Sequence, residues 1–321
     1  MTTALEVPLR PGQTECANAI FQQPWWLDAV APGRWGEATL RRGGRVVARM
    51  PYVERGPRRM RVLTMPPLTQ TLGPWLARSE AKPAKALGEE MELLTALERD
   101  LPPAQAFVQH FSPAMLNALP FYWAGYRLEL KYTYRLEGLA SEQELWDGLR
   151  ENVRREVRKA RKRVEVRADL GLDRFHAVWA KTFARQGLRP PVSLAGLERL
   201  DAACAAHDAR AMLFARDEAD RVHAVAYTVW DEHGAYYLLG GGDPALRTSG
   251  ASSLLMWEAI MRARAVTGLF DFEGSMLKPV ERFFRAFGAR QTPYLRVSRS
   301  SRRARAALAI RSRLVELASR R

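Results

Sequence analysis

Apolar positions recur along the chain at two spacings, and each change of spacing marks an expected element boundary. Residues 21–30 (FQQPWWLDAV) read as a short helix with Pro24 near its start, and core packing is expected for both Trp25 and Trp26. Residues 37–42 and 45–54 flank Gly43-Gly44, a two-residue hairpin signal that opens a meander. Residues 62–75 combine Pro66 and Pro67 with Gln70 and little charge, which suits an ordered loop, either lining a substrate groove or serving simply as a rigid proline-bearing connection. An amphipathic helix follows at 83–100, with Leu87, Met91, Leu94 and Leu97 on one face. Strands are expected at 106–110 and 126–136, the second with Leu128, Leu130, Tyr132 and Tyr134 alternating onto a buried face.

Beyond residue 136 the spacing becomes helical. Ser141 with Glu144 three residues on is a capping-box pattern, and Trp146, Leu149, Val153, Val157 and Ala160 form the apolar stripe of that helix or a successor. On the other side Asn152, Arg155, Lys159 and Lys162 recur at three- and four-residue steps, one continuous donor surface. Helices at 173–186 and 194–207, strands at 211–216, 222–230 and 235–239, and a helix at 252–267 come next. A strand at 269–273 leads through a Gly-Ser turn into a helix containing Pro279, Val280, Phe283, Phe284 and Phe287, which Gly288 stops; a last strand is expected at 294–297. Two helices, an antiparallel meander and two strand–helix steps make an α+β arrangement with a mixed sheet, not a Rossmann repeat.

A length of 321 residues suits about two domains, expected at 1–136 and 137–298, with 299–321 as a tail. No apolar run reaches the roughly 18 residues of a membrane span, and the N-terminus lacks a signal pattern, so a cytoplasmic protein is expected. Cys16 and Cys204 are too isolated for a disulfide framework, and the five His have no metal-ligand spacing, so no metal is expected. Charge changes the picture more. Nine basic against three acidic residues from Arg150 to Arg167, and eight Arg against Glu316 from Arg299 on, hold +13 of the net +15. Clustered in this way the charge favours RNA, nucleotide diphosphates or anionic lipid head groups; the tail, with Leu308, Ile310, Leu314 and Leu317 among its arginines, suits a membrane surface or RNA. A solvated face and an ordinary frayed terminus are the bland alternatives. DNA is not expected as a partner.

Two stretches carry candidate chemistry. Gly240 to Ser252 (GGGDPALRTSGAS) joins a strand to a helix start, where glycines admit a ligand and helix N–H groups face an anion. The other is the end of the 269–273 strand, where Asp271, Glu273 and Ser275 stand beside the expected crevice. For the acylation of an amine that the resemblance described next implies, Glu273 first and Asp271 second are the natural general bases, with a paired structural role as the alternative for Asp271; the backbone at Gly250, Ala251 and Ser252 is the expected oxyanion donor, and Arg247 would hold a diphosphate or phosphate of the donor. Asn152, Arg155, Lys159 and Gln70 are the candidate substrate or polyanion contacts.

The element order and Arg247-Thr248-Ser249-Gly250-Ala251-Ser252 together resemble the Gcn5-related N-acyltransferase (GNAT) fold, whose Arg/Gln-x-x-Gly-x-Gly/Ala loop joins its fourth strand to its third helix; Ser252 departs from the last position. More specifically, the Leu149-Arg150-Glu151-Asn152-Val153-Arg154-Arg155 segment running on to Lys159-Ala160, the Phe270 to Ser275 strand end and Phe283-Phe284-Arg285-Ala286-Phe287-Gly288 resemble the Fem-type (FemAB-like) aminoacyltransferases, over roughly residues 20 to 298. The resemblance implies tandem GNAT-like domains, each a mixed central sheet flanked by helices. It implies transfer of an acyl or aminoacyl group to an amine, on a small-molecule or lipid-linked cell-envelope precursor. Acyl-coenzyme A or aminoacyl-tRNA would be the co-substrate, with no tightly bound cofactor. Many Fem-type proteins have Lys where Phe284 stands, which leaves Arg285 or Arg282 as the candidate cation. It also keeps open a catalytically silent module that binds a nucleotide-linked ligand or RNA.

Overall fold

In the computed structural model residues 13–302 are described, apart from Ala140, Gln186 and Ser275. Ser275 and most of the basic tail thus lie outside the described residues. The chain divides into two compact units, an N-terminal one of residues 14–131 joined by the chain from Tyr294 on, and a C-terminal one of Tyr132–Pro293.

The N-terminal unit begins with helix α1 (Pro24–Val30), where Trp25 and Trp26 are both buried. Strands β1 (Trp35–Arg42) and β2 (Arg45–Arg55) form the expected antiparallel hairpin. Gly43 and Gly44 have φ of 56° and 81°, the left-handed values that a tight hairpin turn asks of both its central residues. Strand β3 (Val62–Thr64) and the short β4 (Trp75–Leu76) both pair with β2. Helix α2 (Pro83–Asp100) then crosses over to β5 (Ala106–His110), which runs parallel to β3. Leu94, Leu97, Phe107, Phe111 and Phe121 fill the core, Phe121 coming from the short helix α3 (Leu119–Trp123).

Strand β6 (Arg127–Glu137) carries the chain into the C-terminal unit. The apolar stripe that starts behind Ser141 runs over two helices, α4 (Glu142–Gly148) and its successor α5 (Glu151–Ala160), parted at Leu149 and Arg150, whose backbone is extended. Ser141 caps α4 as its pattern predicts, accepting from the Glu144 N–H at 3.2 Å. The order continues with β7 (Glu165–Arg167), α6 (Leu172–Ala184), α7 (Leu194–Ala206), β8 (Arg210–Arg216), β9 (Val222–Trp230) and β10 (Ala235–Gly242). Helix α8 (Ala251–Ala263), β11 (Leu269–Asp271), α9 (Lys278–Arg285) and β12 (Arg290–Ser300) complete it. The sheet order in this unit is β6-β11-β10-β9-β8-β7, with β10 and β11 parallel and its other described pairs antiparallel. One core of Leu254, Trp257, Ile260, Phe270, Phe272, Phe284 and Phe287 packs with the α5 stripe of Val153, Val157 and Ala160.

Both units follow one plan: an antiparallel meander, a helical crossover to a parallel strand, and an antiparallel closing strand. The closing strands are exchanged. Strand β6 follows the N-terminal unit's last helix yet pairs with β11, while β12 follows α9 yet pairs through Arg296 to Ser300 with β5. The strand expected at 294–297 as the end of the second domain therefore belongs to the first. The alternation expected for β6 is also only partial, since Thr133 and Tyr134 are both buried and Leu130 is exposed. Once β6 pairs with β11, both of its faces are covered. Among the described residues no helix is long and apolar enough to cross a membrane.

Candidate active site

The last strand-to-helix passage of the C-terminal unit holds its most unusual chemistry. Strand β11 is only three residues long, held antiparallel to β6 and parallel to β10. Phe270 on the strand and Phe272 just beyond its end are buried in the core, which leaves Asp271 between them on the opposite side. That carboxylate is fully buried. Its Oδ2 accepts from Arg135 Nε at 2.7 Å, and its Oδ1 accepts from the Thr133 hydroxyl and from the Glu273 N–H at 2.8 Å. Asp271 thus holds three donors, the paired role open to a mid-strand carboxylate, and Glu273 is left as the freer acid.

Glu273 breaks the usual backbone rule. Its φ is +58°, left-handed for a residue with a side chain, and Gly274 follows at +52°. Only glycine fits at 274, because a Cβ there would lie 2.3 Å from the Tyr132 carbonyl oxygen and 2.5 Å from the Thr133 Cα. The chain is pressed onto β6 and turned sharply. The Glu273 Oε1 is buried without a hydrogen-bond partner among the described residues. Burial, and then the negative Asp271 beside it, push this carboxyl well above the usual carboxylate range. An unpaired carboxyl with a raised pKa, on strained backbone at a strand end, is a candidate general base.

The neighbouring strands open at this point. Pairing of β10 with β11 ends at Tyr236 and Asp271, while β10 stays paired with β9 as far as Gly242, with a register shift between Tyr237 and Leu239. Beyond Tyr236, β10 therefore presents a backbone edge unpaired by β11. Tyr237 and Phe284 meet here with ring centroids 6.1 Å apart.

At the far end of β10, Gly242 meets the start of α8. A Cβ on Gly242 would lie 3.5 Å from Ser252 Oγ. Six residues separate Gly242 from Tyr236, roughly 20 Å at the rise of a strand. The backbone of Gly250 to Ser252, expected as the oxyanion donor, is thus placed well away from Glu273. The Ala251 N–H is capped by Ser249 Oγ at 3.3 Å, and the Ser253 and Leu254 N–H groups bond to the Gly250 carbonyl. Gly250 itself has φ +82°, and a Cβ there would lie 2.4 Å from the Glu156 carbonyl on α5. Gly250→Ala is expected to cost about 2 kcal/mol or more, read as a lowered denaturation midpoint, from left-handed strain and a backbone clash together.

Around this helix start lies a cleft of about 170 Å³ lined by Arg185, His223, Arg247, Ser249 and Ser252. His223 and Ser249 also line a neighbouring cleft of about 520 Å³ that includes Lys162 and Arg163 at the end of α5. His223 is buried, with Nε2 against Asp217 Oδ2 at 2.9 Å and Nδ1 without a partner among the described residues. Arg247, Lys162 and Arg163 are exposed and form no ion pair among the described residues. Cations along a trough that ends on a helix N-terminus can hold a phosphate-bearing chain.

The remaining candidates are more scattered. Asn152 and Arg155 are exposed on α5, whereas Lys159 is half-buried and bonded to Glu156 at 2.9 Å. Phe284 is buried against Phe272, so the position where many Fem-type proteins carry Lys is core here. Arg285 is exposed, with its Nε 2.6 Å from Glu281 Oε1 on its own helix. Gln70 belongs to the N-terminal unit, where it is buried and its carbonyl lies 3.1 Å from His110 Nδ1. The loop of residues 62–75 packs beside β5: the Leu72 N–H bonds to the His110 carbonyl and the Gly73 N–H to Gln109 Oε1. Thr133, Arg135 and His223 were not singled out from the sequence. Thr133 and Arg135 bond to Asp271 across more than 130 residues, and no local pattern carries such a pairing. Among the described residues no group of His, Cys, Asp and Glu is arranged to hold a metal ion.

Residues 148–285 match the family described as Acetyltransferase (GNAT) domain. The crystal structure of FemX superposes with a TM-score of 0.65 at 12% identity, covering 86% of this chain and 91% of that one. L-PGS from Bacillus licheniformis gives 0.54 at 11% identity, covering 90% and 91%. A tandem GNAT protein from the clavulanic acid biosynthesis pathway gives 0.52 at 11% identity, covering 90% of each chain. No curated protein matches the chain in sequence.

Proposed function

We propose that this chain, whose residues 148–285 match the acetyltransferase (GNAT) domain family and whose fold is like that of FemX and of a tandem GNAT protein, transfers an acyl or aminoacyl group to an amine with Glu273 as the base. The observation that carries this is the buried, unpartnered Glu273 Oε1 at the point where β10 and β11 part. In its ionised form this carboxylate takes a proton from the ammonium acceptor. The freed amine then attacks the acyl carbonyl, a C–N bond forms, and the oxyanion collapses to expel the thiol or hydroxyl of the donor. Backbone N–H groups on the edge of β10 that β11 leaves unpaired are the nearest candidates to stabilise that oxyanion. The phosphates of the donor lie along the trough from Ser252 and Arg247 to Lys162. Acyl-coenzyme A is the donor that a GNAT domain suggests, and aminoacyl-tRNA the one that the Fem-type resemblance adds.

Transfer assays with acetyl-coenzyme A and with charged tRNA, each with a panel of small and lipid-linked amines, test the reading. Product with neither donor would sink it. Arg247→Glu combined with Lys162→Glu is expected to raise the donor KM by about tenfold with kcat little changed, because a phosphate contact away from the reacting carbon contributes equally to ground and transition states. An unchanged KM would remove the trough from the donor site.

A further inference from the structure

Asp217, in the turn that joins β8 to β9, and His223, near the start of β9, are tied by one hydrogen bond: His223 Nε2 lies 2.9 Å from Asp217 Oδ2. The turn fixes the carboxylate. Asp217 Oδ1 accepts the Ala219 and Arg221 N–H groups at 3.1 and 2.9 Å, and Oδ2 also accepts from Arg221 Nε at 2.8 Å. The bonds from His223 and then from Arg221 hold this carboxyl well below the usual carboxylate range, so it acts only as an acceptor and the proton of the shared bond sits on His223 Nε2. The backbone of His223 is pinned as well, its carbonyl accepting the Asp243 N–H at 2.9 Å. Both ends of the side chain are therefore held, and with them the direction of the other ring nitrogen, Nδ1.

Nδ1 is the anomaly. His223 is only 8% exposed, yet its Nδ1 is buried without a hydrogen-bond partner among the described residues. A buried polar atom in that state costs free energy, which a ligand that supplies the partner recovers. His223 borders both clefts beside the α8 N-terminus. Besides Asp217 and Arg221, the charged groups lining them are Lys162 and Arg163 after α5, Arg185 after α6 and Arg247 before α8, against Glu218 and Asp243. Asp243 is matched in turn by Lys181 at 2.5 Å. The surplus is positive and calls for an anion, which the bare lone pair of Nδ1 would repel.

We propose that His223 is a specificity-determining ligand for a phosphate of the acyl donor, and that it binds the phosphate as an imidazolium, so that one proton is taken up with the anion. The proton goes to Nδ1, Nδ1–H donates to a phosphate oxygen, and Nε2–H stays on Asp217. The ring then lies between two anions, with a charge-assisted hydrogen bond to each. The cations around it oppose that proton, and a bound phosphate together with Asp217 outweighs them. Linkage fixes the sign. Affinity for the phosphate is highest at low pH and falls as the pH rises through the range where the bound imidazolium loses its proton. The role given to His223 rests on the phosphate trough of the proposed reaction and is independent of Glu273 as its base.

The test is calorimetric titration of the full chain with 3′-dephospho-coenzyme A and with a short single-stranded RNA, from about pH 5.5 to about pH 8.5, where the phosphates of both probes keep a constant charge. For the probe that binds, the dissociation constant is expected to rise by about tenfold across that range, with heats that differ between buffers of different ionisation enthalpy because a proton is taken up. Tighter binding of the coenzyme identifies the coenzyme as the source of the phosphate, and tighter binding of the RNA identifies tRNA. His223→Gln keeps a donor for Asp217 and lacks Nδ1, so its affinity should equal the weak, high-pH value of the wild type at every pH. Wild-type binding that does not change with pH, a variant that keeps the wild-type profile, or binding of neither probe would each overturn the proposal. If His223→Gln fails to fold, nitrogen-15 spectra of the wild-type chain decide: binding should convert one of its five His rings to the doubly protonated form, and no such conversion would overturn the proposal as well. Acyl transfer with pH-independent donor binding would remove His223 from the site and leave the reaction standing. Proton-linked binding by a chain that transfers nothing would refute the reaction and leave His223 as a phosphate ligand.

Discussion

Glu273→Gln is expected to slow acyl transfer by roughly 100-fold or more and, at the same time, to raise the melting temperature at neutral and alkaline pH. The first effect follows from removing the strand-end acid whose buried oxygen has no hydrogen-bond partner among the described residues. The second follows from linkage. A carboxyl whose folded pKa is raised binds its proton more tightly in the native state, so the native state holds more protons than the unfolded one between the two pKa values. Stability is therefore highest below the ordinary Glu value of 4.5 and falls as the pH rises from there through the folded pKa. Glutamine has no proton to lose, and the variant should escape that fall. Melting curves across pH should diverge above 4.5 and converge below it. The wild-type rate should climb with pH over the range where Glu273 ionises, and the variant should lose that limb. Unchanged turnover would exclude Glu273 as the base; a melting difference independent of pH would show that its carboxyl is not held neutral by burial.

The second large effect concerns the clamp beneath it. Arg135→Met should destabilise the fold by about 3 kcal/mol or more, because it strips a fully buried carboxylate of its counter-charge. Replacing both partners, as in Arg135→Met with Asp271→Leu, should recover a good part of that loss, since neither charge then remains to be desolvated. Denaturant titration of the two single variants and the double variant closes the cycle. The stabler double variant should still be slow in transfer. Asp271 Oδ1 accepts the Glu273 N–H and so helps to hold the left-handed turn on which the base stands. A double variant with full activity would show that Gly274 and the strand end hold Glu273 without the clamp. A loss below about 0.5 kcal/mol in Arg135→Met would show that the pair contributes little to the fold.

Much of this molecule could be read one element at a time. The hairpin at Gly43-Gly44, helix α2, strand β5, the cap at Ser141 and the order of strands β8 to β10 follow from period, turn chemistry and capping, all of which act over a few residues. The sequence also marked Glu273 and Asp271, because acids interrupting an apolar run at a strand end are a local anomaly. Their unequal roles were not legible in it. Asp271 is a clamp because Thr133 and Arg135 arrive from the far side of the chain, and Glu273 stands unpaired because Gly274 is pressed onto β6. Phe284 was read as a missing cation and is a core residue, since its direction depends on how α9 packs on Phe272. Ser252 lies beside Gly242, six residues along β10 from where Tyr236 pairs with Asp271, a separation that spacing along the chain does not encode.

The sequence by itself determined most of the elements, the mixed sheet and the stretch that carries the candidate acids. Only the tertiary structure decided which acid stays free, where the closing strands β6 and β12 pair, and which polar groups surround the α8 N-terminus. The physical reason is range: propensity, period and capping are settled between near neighbours, whereas burial, desolvation and the pairing of charges depend on segments more than a hundred residues apart.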